Sequence, residues 1–306
     1  MTTAKRPIQS ICCIGEVMIE LFNGREGNIA LGVAGDTYNT AVYLKRQLAE
    51  ADVTVSYCTA LGTDPYSDKI KSELEGYGLD TSCIEWRSDK IPGLYAVDTD
   101  DEGERSFTYW RSDAAARTLF QEPCEVSFES LNKFDLIYLS GISMAILPAG
   151  IRAKLMDFIQ EFRANGGTFA YDSNYRPRPW ESKEAAQELN AQMWKISDIS
   201  LPSVDDEMFL FEDATEGDVV ERLHGFGITT GALKRGAEGP LDLAGKAVAE
   251  NLTSVAKVID STAAGDSFNA GYLASYVLGQ STQEQMEAGH NLAAKVITHP
   301  GAIIPA

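Results

Sequence analysis

Positive charge is scarce in this chain of 306 residues. Lysine and arginine together number 26 against 45 aspartates and glutamates, which gives a formal net charge of -19 at pH 7. Nucleic acids and anionic membranes bind clustered basic residues, so the composition argues against either as the main partner. An anionic small molecule would have to be held by a few local basic side chains or by backbone amides.

Cysteine and histidine are also few, and neither forms a recognisable metal or redox motif. The cysteines lack C-x-x-C spacing, and the histidines are too dispersed for a zinc site. These residues are Cys12, Cys13, Cys58, Cys83, Cys124, His224, His290 and His299. We expect the cysteines to be small apolar core residues, and we expect no structural metal.

Long apolar runs and two common nucleotide-binding motifs are missing as well. No stretch approaches the roughly 18 apolar residues of a membrane span, and residues 1–10 lack the apolar segment of a signal peptide. We therefore expect no membrane partner and a cytoplasmic protein. Neither G-x-x-x-x-G-K-[ST] nor G-x-G-x-x-G occurs, which argues against P-loop and dinucleotide-binding folds.

Apolar residues make up 44% of the chain, enough for a stable core without disulfides or metals. We expect one domain over residues 1–306. In the second half, predicted strands alternate with helices; the strands are residues 135–139, 168–172, 199–201 and 231–233. This alternation predicts an α/β fold whose mostly parallel sheet is covered by helices on both faces. Ligands of such folds bind beyond the carboxyl ends of the strands.

The most informative stretch begins with a predicted buried strand at residues 255–259 and leads into a helix predicted for residues 267–278. The intervening loop has three small residues, Ala263, Ala264 and Gly265. Small residues let a bulky ligand approach, and the free amides of a first helical turn attract anions. Asp266 beside these amides is a candidate general base. The alternative is that Asp266 merely caps the helix and the small residues merely permit tight packing.

A second polar group precedes a helix predicted for residues 40–48. Gly35 leaves room for a ligand, and Asp36 and Asn39, three residues apart, project from one helical face. Two hydrogen-bonding side chains beside a glycine suit a polyol. The alternative is that Asp36 is an ordinary helix N-cap.

Residues 93–99 and 104–111 are strand-like runs without an intervening helix, which predicts a β-hairpin. Alternation places Tyr109 and Arg111 on one face of the second strand. Arginine beside tyrosine, in an acidic protein, suits recognition of a carboxylate or a hydroxyl-rich ligand. The alternative is a solvated hairpin face that carries charge for solubility.

Polar loop residues follow the predicted strands of the second half. They are Asn174 with Arg176, Ser203 with Asp206 and Glu207, and Lys234 with Gly236 and Gly239. Arg176 precedes Pro177 in a stiff loop, which suits a fixed contact. A basic turn with glycines, such as the one that begins at Lys234, can cradle phosphates, but this pattern alone is unspecific.

Nine short motifs are spread over nearly the whole chain. They are residues 15–21 (GEVMIEL), 34–37 (AGDT), 92–95 (PGLY), 109–111 (YWR), 139–143 (LSGIS), 174–177 (NYRP), 234–237 (KRGA), 260–269 (DSTAAGDSFN) and 301–305 (GAIIP). Together they resemble the ribokinase-like carbohydrate kinases of the phosphofructokinase B type. The hairpin and the Asn-Tyr-Arg element are similar to those of the branch that phosphorylates the sugar acid 2-keto-3-deoxygluconate.

The resemblance implies a ribokinase-like α/β domain with a small lid of β-strands from residues 16–33 and 91–114. It implies that the γ-phosphoryl group of ATP, accompanied by Mg²⁺, is transferred to the C6 hydroxyl of the sugar acid. Asp266 matches the base of the family, and the three small residues before it, with Asp266 itself, match its anion hole. Lids of this family pair between subunits, so the resemblance also implies a homo-oligomer.

The resemblance assigns residues to each ligand as well. The sugar acid would contact Gly35, Asp36, Asn39, Tyr95, Tyr109, Arg111, Arg176 and Asp266, with the arginines at its carboxylate end. The nucleotide would contact Asn174, Ser203, Lys234, Gly236, Gly239, Ala263 and Gly265. Mg²⁺ is expected to arrive with ATP rather than to have a dedicated site, and Asp206 and Glu207 are its candidate ligands.

Three positions depart from the family pattern. Ala263 and Ala34 replace glycines, and Ser203-x-x-Asp206 stands where many relatives have an Asn-x-x-Glu element near the metal. Ala263 leaves the Gly265-Asp266 pair intact. The Ser203-x-x-Asp206 element makes the assignment of the metal ligands weak.

Two other functions remain open. Another sugar kinase of the family would act on fructose, ribose or a related ketose, but a neutral sugar would leave Arg111 and Arg176 without a carboxylate. A nucleotide-sensing protein of the same fold would lack catalysis, and the retained Gly265-Asp266 pair argues against it.

Overall fold

A computed structural model of the chain describes residues 4–23, 29–99 and 105–305. Its strands are β1 (Ser10–Ile14), β2 (Met18–Asn23), β3 (Ile29–Ala34), β4 (Thr54–Gly62), β5 (Asp80–Arg87), β6 (Leu94–Thr99), β7 (Arg105–Trp110), β8 (Leu136–Ser140), β9 (Thr168–Asp172), β10 (Ile199–Ser200), β11 (Ala232–Leu233) and β12 (Leu241–Asp242).

The α-helices are α1 (Asp36–Gln47), α2 (Pro65–Gly76), α3 (Gly141–Ile146), α4 (Ala149–Ala164), α5 (Lys183–Ile196), α6 (Val204–Phe211), α7 (Glu216–Gly225), α8 (Ala264–Val277) and α9 (Thr282–Val296). Within the described ranges, none of them combines the length and apolarity required to cross a membrane.

The largest sheet has six parallel strands in the order β10-β9-β8-β1-β4-β5. Alternation along β1 divides the core between the two faces of this sheet. Ile11 and Cys13 pack in the cluster that includes α1 and α8. Cys12 and Ile14 pack in the opposite cluster, which includes α4 and α5. The predicted parallel sheet with helices on both faces is therefore confirmed, and these two cysteines are core residues as expected.

The lid is a separate sheet of four strands in the order β3-β2-β6-β7. β2 pairs with β6 in parallel, and the two outer pairs, β2 with β3 and β6 with β7, are antiparallel. The predicted hairpin is the β6–β7 pair, and its predicted turn at residues 100–103 lies outside the described residues. The predicted small lid is thus present beside the central sheet.

One prediction about the most informative stretch is wrong. Residues 255–259 form no strand; Val258 and Ile259 are more than half exposed. The backbone amides of Ile259 and Asp260 donate to the carbonyl of Ile297 at the end of α9. An apolar run can resemble a buried strand in sequence, but this one lies against a helix end and not against another strand.

Several elements differ from the sequence expectation in extent. α1 begins at Asp36 and α8 at Ala264, a turn or so before the predicted starts at residues 40 and 267. β5 and α3 were not predicted. β5 is an edge strand whose first three residues, Asp80, Thr81 and Ser82, are polar and at least partly exposed, so its hydrophobic pattern is interrupted.

The segment at residues 302–304 is tied to α1. The hydroxyl of Tyr43 donates to the carbonyl of Ala302 (2.7 Å) and accepts from the amide of Ile304 (3.0 Å). Arg46 donates to the carbonyl of Ile304 (2.6 Å). This late part of the chain therefore supports the helix that carries Asp36 and Asn39.

Position 35 must be glycine because the backbone there passes very close to the backbone at Glu16. A methyl group built on Gly35 would lie 2.3 Å from the carbonyl oxygen of Glu16. The sequence interpretation, that Gly35 makes room for a ligand, is therefore not the first reason for glycine here. The turn from the lid into α1 has no space for a side chain.

We expect Gly35→Ala to lower the free energy of unfolding by about 1–3 kcal/mol, because backbone atoms must shift to relieve the clash. Gly150→Ala is the matched control, since a methyl group on Gly150 in α4 would meet nothing within 4 Å. Urea unfolding of both variants measures the difference. If the two variants had equal free energies of unfolding, the backbone at Gly35 would not be as close to Glu16 as described.

Candidate active site

Four predicted site residues, Asp36, Asn39, Asn174 and Asp266, lie where the carboxyl ends of β8 and β9 meet the amino-terminal ends of α1 and α8. Asp266 lies in the first turn of α8 and keeps part of its surface accessible. Asn39 of α1 donates from Nδ2 to Oδ2 of Asp266 (2.8 Å), and the hydroxyl of Thr40 donates to the Asp266 carbonyl (3.2 Å). The structure thus joins Asn39 and Asp266, which are far apart in sequence.

The carboxyl group of Asp266 holds its proton unusually strongly. Burial and the negative charge of Asp36 raise the pKa of Asp266 to about 8, and the hydrogen bond from Asn39 acts in the opposite direction. Asp172 adds to the increase, whereas Lys234 reduces it. A carboxyl with such a high pKa is characteristic of a functional site, and a high proton affinity suits a general base.

The start of α8 has the features of an anion seat. Ala263 is the N-cap in the left-handed conformation (φ 61°) and provides no side-chain cap. For a residue with Cβ, the left-handed conformation costs about 1–2 kcal/mol of conformational free energy. Ala263 nevertheless adopts this conformation, which glycine adopts without that cost. Amides in the first turn have no acceptor within the helix and point outward with its dipole. A methyl group built on Gly265 would lie 3.5 Å from Nζ of Lys234, so a cation is close to this seat.

Asp36 is the first residue of α1 and not its N-cap, which is Gly35. The N-cap alternative is therefore wrong. Oδ2 of Asp36 accepts hydrogen bonds from the hydroxyl of Ser140, at the end of β8, and from Nδ2 of Asn174 (2.7 Å). Asn174, which was assigned to the nucleotide, thus lies beside Asp36, which was assigned to the sugar acid, and has a positive φ of 33° that asparagine tolerates.

A buried polar network lies beneath Asp266. Nζ of Lys234 donates to Oδ2 of Asp172 (2.6 Å) and to Oδ1 of Asn269 (3.1 Å). Asn269 donates to the same Asp172 oxygen (2.6 Å) and to the hydroxyl of Tyr138 (3.0 Å). The side chain of Lys234 is therefore directed into the protein. Its predicted role in the nucleotide loop stays a prediction.

Asp172 and Asn269 were not identified from the sequence, although two signals could have found them. Asp172 ends the buried strand β9, where ligand sites of parallel sheets occur. Asn269 is three residues after Asp266 in α8 and so lies on the same helical face.

In the lid, Tyr95 is buried and donates from its hydroxyl to Oε1 of Glu20 (2.7 Å). The ring of Tyr109 lies 5.6 Å from that of Tyr95 and is 41% exposed. Arg111 forms an ion pair with the buried carboxylate of Glu16 and lies over the Tyr109 ring at 5.8 Å. The predicted face with Tyr109 and an arginine therefore exists, and Glu16 is an additional partner that the sequence did not indicate.

The remaining predicted residues lie around the ends of β9, β10 and β11. Arg176 is more than half exposed and donates to Oδ1 of Asp206 (3.1 Å). Glu207 is fully buried against Arg222 (3.1 Å), and burial raises the pKa of Glu207 to about 7. Ser203 is bridged to Lys234 through the backbone. Gly236 and Gly239 flank an exposed turn and both have positive φ, 56° and 80°.

No cluster of three metal-binding side chains occurs among residues 4–23, 29–99 and 105–305. The two candidate ligands are both engaged by arginines, Asp206 by Arg176 and Glu207 by Arg222. This donor set does not form a preorganised cage for a divalent ion.

Comparison with known proteins identifies the family. The family described as pfkB family carbohydrate kinase matches residues 8–306. The chain belongs to the pfkB family of carbohydrate kinases. Its sequence is 44% identical over 303 residues to 2-dehydro-3-deoxygluconokinase of Escherichia coli strain K12, covering 97% of each chain. It is 38% identical to the 2-dehydro-3-deoxygluconokinase of Haemophilus influenzae, with 97% and 96% covered.

The pfkB fold is also found among solved structures. Aminoimidazole riboside kinase from Salmonella enterica superposes with a TM-score of 0.81 at 21% identity, covering 95% of this chain and 94% of that one. At this identity the likeness concerns the fold alone. The predicted ribokinase-like class is confirmed, and the substrate must be argued from the site and from the sequence relatives.

The raised pKa of Asp266 predicts a specific pH dependence of stability. Its folded-state pKa of about 8 lies above its ordinary value, so the wild type loses stability as pH rises from about 4 to about 8 and this carboxyl ionises. Asp266→Asn has no charge to bury. We expect the melting temperature of the variant, relative to wild type, to increase progressively from pH 4 to pH 8. A difference that is constant with pH would reject the raised pKa.

Proposed function

We propose that this chain phosphorylates 2-dehydro-3-deoxygluconate (2-keto-3-deoxygluconate) at its C6 hydroxyl and uses ATP as the phosphoryl donor. The observation that carries the proposal is the 44% identity, over 97% of the chain, to a protein named for this reaction. The geometry at Asp266 supports it, because a carboxyl with high proton affinity lies beside a helix amino terminus.

In the proposed reaction, the Asp266 carboxylate accepts the proton of the C6 hydroxyl. The oxygen then bonds to the γ-phosphorus of ATP as the bond to ADP breaks. Such a transfer needs positioning and charge neutralisation more than covalent assistance from the protein. The outward-pointing amides at the start of α8 and the helix dipole stabilise the negative charge on the transferred group.

The other site residues would bind the two substrates. Asp36 and Asn39 hold hydroxyls of the sugar acid, and Arg111 and Arg176 meet its carboxylate end. Ser203, Lys234, Gly236 and Gly239 are proposed to line the nucleotide site, in part through their backbones. Mg²⁺ would be held mainly by the nucleotide phosphates, whose charge it neutralises, since the acidic side chains nearby are already engaged.

Asp266→Asn should lower turnover of the sugar acid by a factor of about 10²–10⁴, the usual effect of removing a general base. Its affinity for the sugar acid and for ATP should change little, because the amide keeps the size of the side chain. A coupled assay of ADP release and calorimetric titration measure the two quantities. Faster turnover of fructose or ribose than of the sugar acid would favour the alternative sugar kinases. Nucleotide binding without any turnover would favour the sensing protein.

We further propose that two copies of the chain pair through the lid. The residues Leu21, Leu31 and Trp110 lie on one face of the lid sheet, opposite Tyr95 and Tyr109, by the strand registers. Ile19 lies on the same face but is buried in the core beside α1 and α8. At the outer part of this face, Leu31 is 45% exposed and Trp110 is 58% exposed. Exposed apolar surface of this kind is typical of an interaction site.

Trp110→Asp should convert a dimer to a monomer at micromolar concentration, because a charge would enter the apolar interface. Val248→Asp is the matched control, since Val248 is 72% exposed outside the lid. Light scattering coupled to size-exclusion chromatography gives the masses. A monomeric wild type, or a dimer that persists in the Trp110 variant, would reject this pairing.

A further inference from the structure

Among the described residues, four crossings of the chain connect the central sheet with the lid, and all four meet at Glu16. Glu16 itself lies between β1 and β2. Gly35, between β3 and α1, passes so near that a methyl group on it would lie 2.3 Å from the Glu16 carbonyl oxygen. A methyl group on Gly93, which precedes β6, would lie 2.6 Å from Oε1 of Glu16. Arg111, which follows β7, forms the ion pair with the Glu16 carboxylate.

The ion pair is buried and only partly satisfied. Glu16 is 1% exposed, and its Oε1 has no hydrogen-bond partner in the described part of the chain. Nε of Arg111 is likewise buried without an acceptor there. Buried charges persist only when their partner is held in place, so each side chain restricts the position of the other. No other acidic side chain forms an ion pair with Arg111 within those residues.

Glu16 also links the two ends of the sugar site. Its side chain fixes Arg111, the lid residue assigned to the carboxylate end. Its carbonyl oxygen packs against Gly35, the residue immediately before Asp36, which is assigned to the hydroxyls. A displacement of Glu16 would therefore move Arg111 and Asp36 relative to each other.

We propose that Glu16 is a positioning residue that sets the spacing between Arg111 and Asp36, and thereby selects a sugar acid of matching length. Glu16 does not touch the substrate; it acts through Arg111. This inference rests on the proposed function, because it assumes a substrate with a carboxylate at one end and hydroxyls at the other.

The test compares Glu16→Ala, Glu16→Gln, Arg111→Ala and the double variant Glu16→Ala/Arg111→Ala. Each is assayed by ADP release with 2-dehydro-3-deoxygluconate and with its methyl ester, which lacks the charge. Glu16→Ala should raise the KM for the acid by about 10- to 100-fold, the usual effect of losing a charge-assisted contact. The kcat and the KM for ATP should change by less than about threefold, since the reacting atoms are untouched.

Two comparisons separate positioning from general damage. Glu16→Gln keeps an acceptor for Arg111 in the same place, so it should restore most of the affinity for the acid. When Arg111 is already absent, removal of Glu16 should change the KM for the acid by less than about twofold, because the two residues act as one unit. The methyl ester should be nearly insensitive to all four variants.

Glu85→Ala provides a matched control for the loss of a buried carboxylate. Glu85 is 2% exposed, pairs with Arg87 (3.2 Å) and accepts from the amide of Val126 (2.7 Å), outside the proposed sugar site. This variant should lower the melting temperature without raising the KM for the acid.

Gly93→Ala provides a second route if Glu16→Ala does not fold. The added methyl group would lie 2.6 Å from Oε1 of Glu16 and 3.2 Å from Cβ of Arg111, so it shifts the ion pair without removing either charge. It should raise the KM for the acid more than that for the ester.

The inference would be overturned if the effects of Glu16→Ala and Arg111→Ala on the KM for the acid were additive. It would also be overturned if the KM rose equally for the acid and for the ester. An unchanged KM for the acid in Glu16→Ala, or in Gly93→Ala if the former does not fold, would overturn it as well. Failure of the proposed function has a different signature, because the wild type itself would then not phosphorylate the acid.

Discussion

The ion pair between Asp172 and Lys234 is the constraint on which the site depends. Asp172 ends β9, Lys234 follows β11, and both contact Asn269 of α8. The buried charges of Asp172 and Lys234 are stable only while they contact each other and Asn269. These contacts therefore hold the ends of β9 and β11 and the start of α8 in one arrangement. Because Asp266 is one turn before Asn269, the same contacts determine where the proposed base and the anion seat lie relative to the central sheet.

The electrostatics of the site follow from this arrangement. In addition to burial, the charges of Asp36 and Asp172 raise the pKa of Asp266, and the positive charge of Lys234 reduces it. Asp172 is paired with Lys234, whereas the donors to Asp36 in the described part of the chain are neutral, namely Ser140 and Asn174. The negative charge near the site that no cation neutralises therefore raises the pKa of Asp266. A strongly acidic protein can thus bind a phosphoryl group locally. The helix amides and one lysine attract this group over a few ångströms, whereas the charge on the rest of the surface is screened by salt.

The sequence predicted features that depend on local pattern. The bounds of β9 were predicted correctly, because a short apolar run that directly follows a glycine pair is visible in the sequence. Asp266 and Asn39 were identified because small residues and helix starts are visible along the chain. The apolar run at residues 255–259 was misread, since nothing local shows whether another strand lies beside it. The role of Glu16 could not be predicted either, because its contacts come from segments far away in the sequence.

The attachment of residues 302–304 to α1 has a consequence for how the enzyme is made. The helix that carries Asp36 and Asn39 is synthesised early, yet Tyr43 and Arg46 find their partners only among the last residues described. Asp266 also lies in the final fifth of the chain. A nascent chain can therefore pair β1, β4, β5, β8 and β9 first, but it cannot assemble the proposed site until residues 264–304 have been synthesised.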